Sequence, residues 1–256
     1  MTRYKTHVGP FLSRFWYEDA EFELITANAL RRHDLYPDQP GPVNIELFAE
    51  LEFKIPYRFE KLPKGILGTI HFSEDGPHEI ILTKGLDRPG FVIINRSCRS
   101  TLAHECGHGL LHGELFAELW RNYRRCQKRG AAHLTKFEER MEDLNAGHTE
   151  KKWWEYQANR AMSSLLVPKD LLQACIRKTT VAGVAPEQWT EADRTLLRDH
   201  VCRRFNVSRS LAENRIEGIF PRRKSKALPL KLVPPLVSLR SLLPIPRPAL
   251  VGFEAR

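Results

Sequence analysis

Residues 101–112 read Thr101-Leu-Ala-His104-Glu105-Cys106-Gly107-His108-Gly-Leu-Leu-His112. Two histidines four apart, with a glutamate directly after the first, form an HExxH pattern. On a helix, positions four apart lie one turn apart on one face, so His104 and His108 can offer both imidazoles to one metal ion. Glu105 points to the side, within reach of a water polarised by that ion. Two His ligands leave room for a third protein ligand and a water, the layout of a catalytic rather than a purely structural zinc site. Zinc brings the pKa of its water to ~7, and a neighbouring carboxylate can take the proton and return it to a leaving amine. The flanking Leu102, Ala103, Leu110 and Leu111 make the opposite side of this helix apolar. Gly107 costs a helix about 1 kcal/mol relative to alanine, which points to a close neighbour at that backbone position. The plainer reading is a helix with surface histidines and a glutamate in a salt bridge.

A third ligand has to come from elsewhere in the chain. Downstream, Trp153-Trp154-Glu155-Tyr156-Gln157-Ala158-Asn159 opens a helical pattern that continues through Ala161, Met162, Leu165 and Leu166 to Pro168. Glu155 and Asn159 are four apart on one face. Glu155 can ligate, and the Asn159 amide can orient a ligand histidine from behind. The small apolar positions suit packing against the HExxH helix. Alternatively, Glu155 is a first-turn acid favoured by the helix dipole.

Outward from these two helices, the pattern is α+β. A helix is expected over 17–33, with Ala20, Leu24, Ala27 and Leu30 as its apolar stripe. Asn44 is an N-cap for a short helix over 45–52. Strands are expected over 53–58, 66–72 and 79–83, with Ser73-Glu-Asp-Gly-Pro77 as the hairpin turn between the last two. The HExxH helix starts near Ser97 or Ser100 and runs through Leu111. A polar helical stretch covers about 114–144, and further helices cover 150–166, 168–177 and 190–205. The order of helix, small antiparallel sheet and then helices places the chain in the α+β class.

The 256 residues carry a formal charge of +9. Eight of the 40 basic residues and one of the 31 acidic residues lie in 222–256, so the rest of the chain is nearly neutral. The basicity is therefore weak support for nucleic-acid binding. The same 35-residue tail holds six prolines among leucines and valines, and it reads as extended and disordered on its own. Five cysteines (Cys98, Cys106, Cys126, Cys175, Cys202) without a CxxC pair argue against a disulfide framework and fit a reducing cytoplasm. No window is long and apolar enough to span a membrane, and the N-terminus lacks the apolar core of a secretory signal. The expected organisation is a metallopeptidase-like domain over 1–177 with a helical insert at about 114–148, a small helical segment over 178–221, and the tail over 222–256.

The combination of TLAHECGHGLLH with a Glu-x-x-Ala-Asn helix ending in Leu-Leu-x-Pro resembles the ImmA/IrrE family of metallo-endopeptidases. PVNIELFAELEFKIPY resembles that family's short helix and strand, GILGTIHF and EIILT its hairpin, and HVCRRFNVSRSLAENRIEGI (200–219) its small helix-turn-helix-like segment. The resemblance covers roughly 20–220. It implies a zincin-like core holding one Zn2+ ion through His104, His108 and Glu155, with Glu105 as the general base. It also implies an intracellular endopeptidase that cleaves a specific regulatory protein, such as a helix-turn-helix transcriptional repressor, after stress or damage. The substrate is expected to lie extended along an edge strand, placed at 79–83.

The chain departs from the family pattern in several places. The segment between His108 and Glu155 is longer and is basic around Arg121–Arg129. It can be a lid, a partner-binding hairpin or an insert without a role. Cys106 stands in place of a leucine and lies about 200° round the helix from His104, so it faces the core. Ala161 and Met162 are packing changes. His112, four beyond His108, is expected to cap the helix end; substitution for a ligand or a supporting position are the alternatives. His133 and His148 lie in the insert, and His148 is a weaker candidate for stabilising an oxyanion. Trp153 and Trp154 read as core anchors. A different functional class also fits the chain: a non-catalytic regulatory module that binds a repressor or DNA. Self-processing of the tail is a third possibility.

Overall fold

The structure is a computed structural model that describes residues 1–5, 11, 13–88, 90–130, 151–179 and 181–222. Among the described residues it is a mixed α+β fold of seven α-helices and two small sheets. The tail from 223 onward, residues 131–148 of the insert, and with them His133 and His148, lie outside the described residues. No helix among the described residues is long and apolar enough to cross a membrane.

An N-terminal ribbon pairs β1 (Thr2–Lys5) with β2 (Ser13–Trp16) in antiparallel register, an element the sequence patterns do not reveal. Its inner face buries Phe15 and Ser13. Helix α1 (Asp19–Arg32) follows, and Glu21 accepts a hydrogen bond from the Glu18 amide at 2.9 Å to close its first turn. Its buried face is Phe22, Thr26, Ala29 and Leu30, whereas Leu24 is exposed. The expected stripe through Leu24 is thus rotated. Phe22 fixes the true face because its ring finds Tyr17, with centroids 5.6 Å apart. Helix α2 (Ile45–Phe53) is capped as expected, with Asn44 Oδ1 accepting from the Leu47 amide at 3.1 Å.

The strand expected over 53–58 begins later. Helix α2 runs on to Phe53, Lys54 takes a left-handed conformation (φ 56°), and β3 spans Tyr57–Glu60. Strands β4 (Gly68–Ser73) and β5 (Gly76–Thr83) form the expected hairpin, whose turn is tied by the Ser73 hydroxyl accepting from the Asp75 amide at 3.2 Å. The three-stranded order is β3-β5-β4, with β3 and β5 parallel. The sheet is therefore mixed, not antiparallel. It also follows that 79–83 is the central strand, and β4 is the edge facing the HExxH helix. Parallel pairing of β3 with β5 occupies the edge that a simple meander would have left free.

Helix α3 (Val92–Arg129) is continuous over 38 residues, about 57 Å at 1.5 Å per residue. It does not end at Leu111, and 114–129 is its own continuation. The apolar stripe simply goes on through Leu115, Phe116 and Leu119, all buried. Phe116 stacks on Phe72 of β4 with centroids 4.0 Å apart and meets Trp154 at 4.9 Å. The segment 99–109 is buried on every side. Helix α4 (Lys151–Leu166) lies against it, and Pro168 separates α4 from α5 (Lys169–Ile176).

Helices α6 (Glu191–Arg204) and α7 (Arg209–Ile219) complete the described chain, joined by a short turn in which Ser208 caps α7 by accepting from the Leu211 amide at 3.1 Å. Leu197, Val201 and Phe205 join the same hydrophobic cluster as α1, α3 and α4. The buried Arg215 donates to both carboxylate oxygens of Glu23 at 2.7 Å and to the Val167 carbonyl at 2.8 Å, pinning α7 to α1 and to the end of α4. All five cysteines are free thiols.

Candidate metal centre

The close approach of α3 and α4 is written into glycine and alanine. A Cβ at position 107 would sit 2.8 Å from the Ala158 carbonyl oxygen and 3.1 Å from the Ala161 methyl. Gly107 therefore lets α4 come close enough for its side chains to reach those of α3. On the other side of α3, a Cβ at position 68 would meet the Thr101 methyl at 2.5 Å and Glu105 Oε1 at 2.9 Å. Gly68 lets the edge strand β4 run directly over Glu105.

With the helices at this distance, His104, His108 and Glu155 converge. Their donor atoms all lie within 4.8 Å of one another, and the three residues could hold a metal ion. The two Nε2 atoms are 3.1 Å apart, His104 Nε2 is 3.2 Å from Glu155 Oε2, and His108 Nε2 is 3.8 Å from Glu155 Oε1. Ligand atoms at ~2.1 Å from a tetrahedral zinc would be about 3.4 Å apart, so the spacing suits such an ion. The two histidines are buried, and Glu155 retains 15% side-chain exposure, giving the group its contact with solvent.

The back of each imidazole is engaged. His104 Nδ1 lies 3.1 Å from Asn159 Oδ1, one turn along α4 from Glu155, and His108 Nδ1 lies 3.1 Å from His112 Nδ1. An amide oxygen can only accept, so His104 Nδ1 donates and its Nε2 lone pair faces the other donors. Burial by itself would lower the pKa of His104, but the adjacent Glu155 and Glu105 carboxylates outweigh it and hold the ring above its usual value. Burial pushes His108 well below its usual value, helped by His104 and His112. The site thus gathers negative charge and lone pairs and asks for a cation.

Glu105 has no exposed surface; among the described residues its carboxylate has no side-chain hydrogen-bond partner, and the Ile70 backbone is the donor that approaches it. Burial, with the Glu155 charge adding to it against His104, pushes its pKa up to about 8. A carboxyl in that state is poised to exchange a proton near neutral pH. Cys106 is buried with its thiol raised well above the usual value by burial, as a core residue on the far side of α3 should be.

His112 departs from the sequence expectation. It lies in the interior of α3, fully buried, and caps nothing. Its ring stacks on Trp154 with centroids 5.2 Å apart, and its Nε2 lies 2.9 Å from Gln157 Oε1. Gln157 in turn donates to the Phe15 carbonyl on β2 at 2.7 Å. Neither Gln157 nor the ribbon stood out in the sequence. The available signal was the second four-residue step from His108 to His112, which extends the histidine row along one face.

Comparison of the chain with protein-family models, with curated proteins and with solved structures gives no match.

Proposed function

We propose that this protein is a zinc-dependent endopeptidase with a zincin-like core, acting on a specific regulatory protein such as a helix-turn-helix repressor. The observation that carries this reading is the convergence of two imidazole Nε2 atoms and one carboxylate at tetrahedral spacing, beside a buried glutamate without a side-chain partner among the described residues. The donor set of two nitrogens and one oxygen fits zinc and leaves one position open. Zinc bound there supplies Lewis acidity towards water and towards a peptide carbonyl. Glu105 takes the proton from the attacking water and passes it to the leaving amine. Among the described residues β4 is an edge strand passing over Glu105, so an extended substrate can add to the sheet there and bring its scissile bond to the site. The substrate class rests on the sequence resemblance to the ImmA/IrrE endopeptidases, and free thiols are consistent with a cytoplasmic setting.

The complete burial of Glu105 and His108 favours a second reading, a closed metal site inside a regulatory module that binds a repressor or DNA. One experiment separates the two. Wild type, Glu105→Gln and Glu155→Ala are measured for zinc per chain by elemental analysis and then incubated with a cell extract whose new protein N-termini are sequenced. Peptidase action requires stoichiometric zinc in wild type and Glu105→Gln, loss of it in Glu155→Ala, and new N-termini with wild type alone. Zinc without any Glu105-dependent cleavage would support the regulatory module, and zinc-free wild type after metal is added back would overturn both metal readings.

A further inference from the structure

We propose that His112 and Gln157 are positioning residues that fix His108 in its Nδ1–H tautomer, with the order of protons set from a backbone carbonyl on β2. The inference deepens the metal-centre reading and rests on it for its consequence, although the proton order itself does not need a metal.

The proton order is set inward from the ribbon. The Phe15 carbonyl can only accept, so Gln157 must turn its amide nitrogen towards it, at 2.7 Å. That leaves Gln157 Oε1 facing His112 Nε2 at 2.9 Å, and an amide oxygen also only accepts. His112 therefore carries its proton on Nε2. The rings around it are the indoles of Trp153 and Trp154 and the His108 imidazole. In the neutral ring, Nδ1 is then a bare lone pair. It lies 3.1 Å from His108 Nδ1, which must donate to it. His108 is left with its lone pair on Nε2, the atom 3.1 Å from His104 Nε2 and 3.8 Å from Glu155 Oε1. Reversing any link would set two acceptors or two donors against each other in a buried position. On the other side of the site, Asn159 does the same service for His104 in one step. The ribbon thereby becomes part of the metal centre, through a carbonyl some three hydrogen bonds away.

The test separates hydrogen bonding from packing. An asparagine at 112 is smaller than histidine but places an acceptor oxygen where Nδ1 stood; glutamine and phenylalanine are closer in bulk but put carbon there. Zinc affinity is measured by chelator competition for wild type, His112→Asn, His112→Gln and His112→Phe. The expected result is that His112→Asn stays within a few-fold of wild type while the other two weaken by about 10–100-fold, the usual effect of losing a partner behind a ligand. If His112→Asn loses as much as the bulkier variants, the role is packing and the proposal is overturned. Wild-type protein without metal provides a check independent of any variant's folding. Long-range 15N–1H correlation spectra should show His108 protonated on Nδ1 and His112 on Nε2. The opposite tautomer at either ring overturns the proposal. The expected tautomers in a wild-type protein that binds no zinc would uphold the relay while sinking the metal-centre reading.

Discussion

Glu105 illustrates how much one buried carboxyl can decide. Its burial raises its pKa to about 8, whereas an unfolded glutamate titrates near 4.5. A group raised in the folded state contributes stability that is complete below its unfolded pKa and is lost as pH rises through the folded one. In the metal-free protein Glu105 is thus mostly protonated at pH 7, and Glu105→Gln replaces it with a neutral group of the same shape. An unfolded glutamate is already ionised above 4.5, so wild type loses this stability across pH 4.5 to about 8. The melting temperature of metal-free Glu105→Gln should lie near that of wild type at pH 5 and well above it at pH 8. Calorimetry at the two pH values checks this. A Glu105→Gln protein that gains nothing on wild type from pH 5 to pH 8 would show that the carboxylate is held ionised instead.

At the scale of elements, two contacts hold the site in place. The α3–α4 approach depends on Gly107, whose Cβ position is filled by the Ala158 carbonyl at 2.8 Å. That neighbour is backbone and cannot swing aside. Gly107→Ala should push α4 outward, carry Glu155 and Asn159 away from the histidines, and weaken zinc binding by tenfold or more, while far-ultraviolet circular dichroism stays helical. Equal zinc affinity in the variant would mean that α4 absorbs the methyl without moving Glu155. The second contact is the Arg215–Glu23 pair. Arg215 is 1% exposed, and both carboxylate oxygens accept from its guanidinium. Breaking a buried pair leaves one charge without its partner and costs roughly 3–5 kcal/mol, with the lower end expected because Glu23 reaches solvent. Arg215→Ala should show that loss in denaturant unfolding; a loss under 1 kcal/mol would mean that the last helices contribute little to holding α1.

For the molecule as a whole, the buried ionisable groups set the pH range of stability without metal. His104 and Glu105 are raised, so their contributions fade as pH climbs above 6.5 and above 4.5 respectively. His108 and His112 are lowered by burial, His112 to about 4, so their contributions are lost as pH falls below 6.5. Between 4.5 and 6.5 the two lowered histidines outweigh Glu105, and the net effect of these four groups is a stability maximum near pH 6.5 for the metal-free chain. A zinc ion held by these residues would change this, because zinc binds only deprotonated ligands. Zinc at 100 times its Kd should add about 2.7 kcal/mol, and the increment should grow with pH through neutrality. Melting curves across pH with and without zinc test both statements. A zinc increment that shrinks from pH 6 to pH 8 would exclude ligation by His104.

The local chemistry was legible from residue order alone. HExxH needs only the 3.6-residue period to bring His104 and His108 to one face, and Glu155 and Asn159 share a face for the same reason. Asn44 as a cap and the Ser73 turn are likewise decided within four residues, so they need no knowledge of what packs on them. What came only from the tertiary structure are the features that depend on distant partners. The buried face of α1 is chosen by Tyr17 and the core, not by its own leucines. The continuation of α3 past Leu111 is held by Phe72, Phe11 and Trp154 packing on Phe116. The edge of the sheet is decided by β3 joining β5 in parallel, with β4 lying between them in the chain. His112 looked like a helix cap because its partners, Gln157 and the Phe15 carbonyl, are 45 and 142 residues from their acceptor or donor in the chain. Spacing along one helix fixes which side chains share a face, and only the packing of separate elements fixes what that face meets.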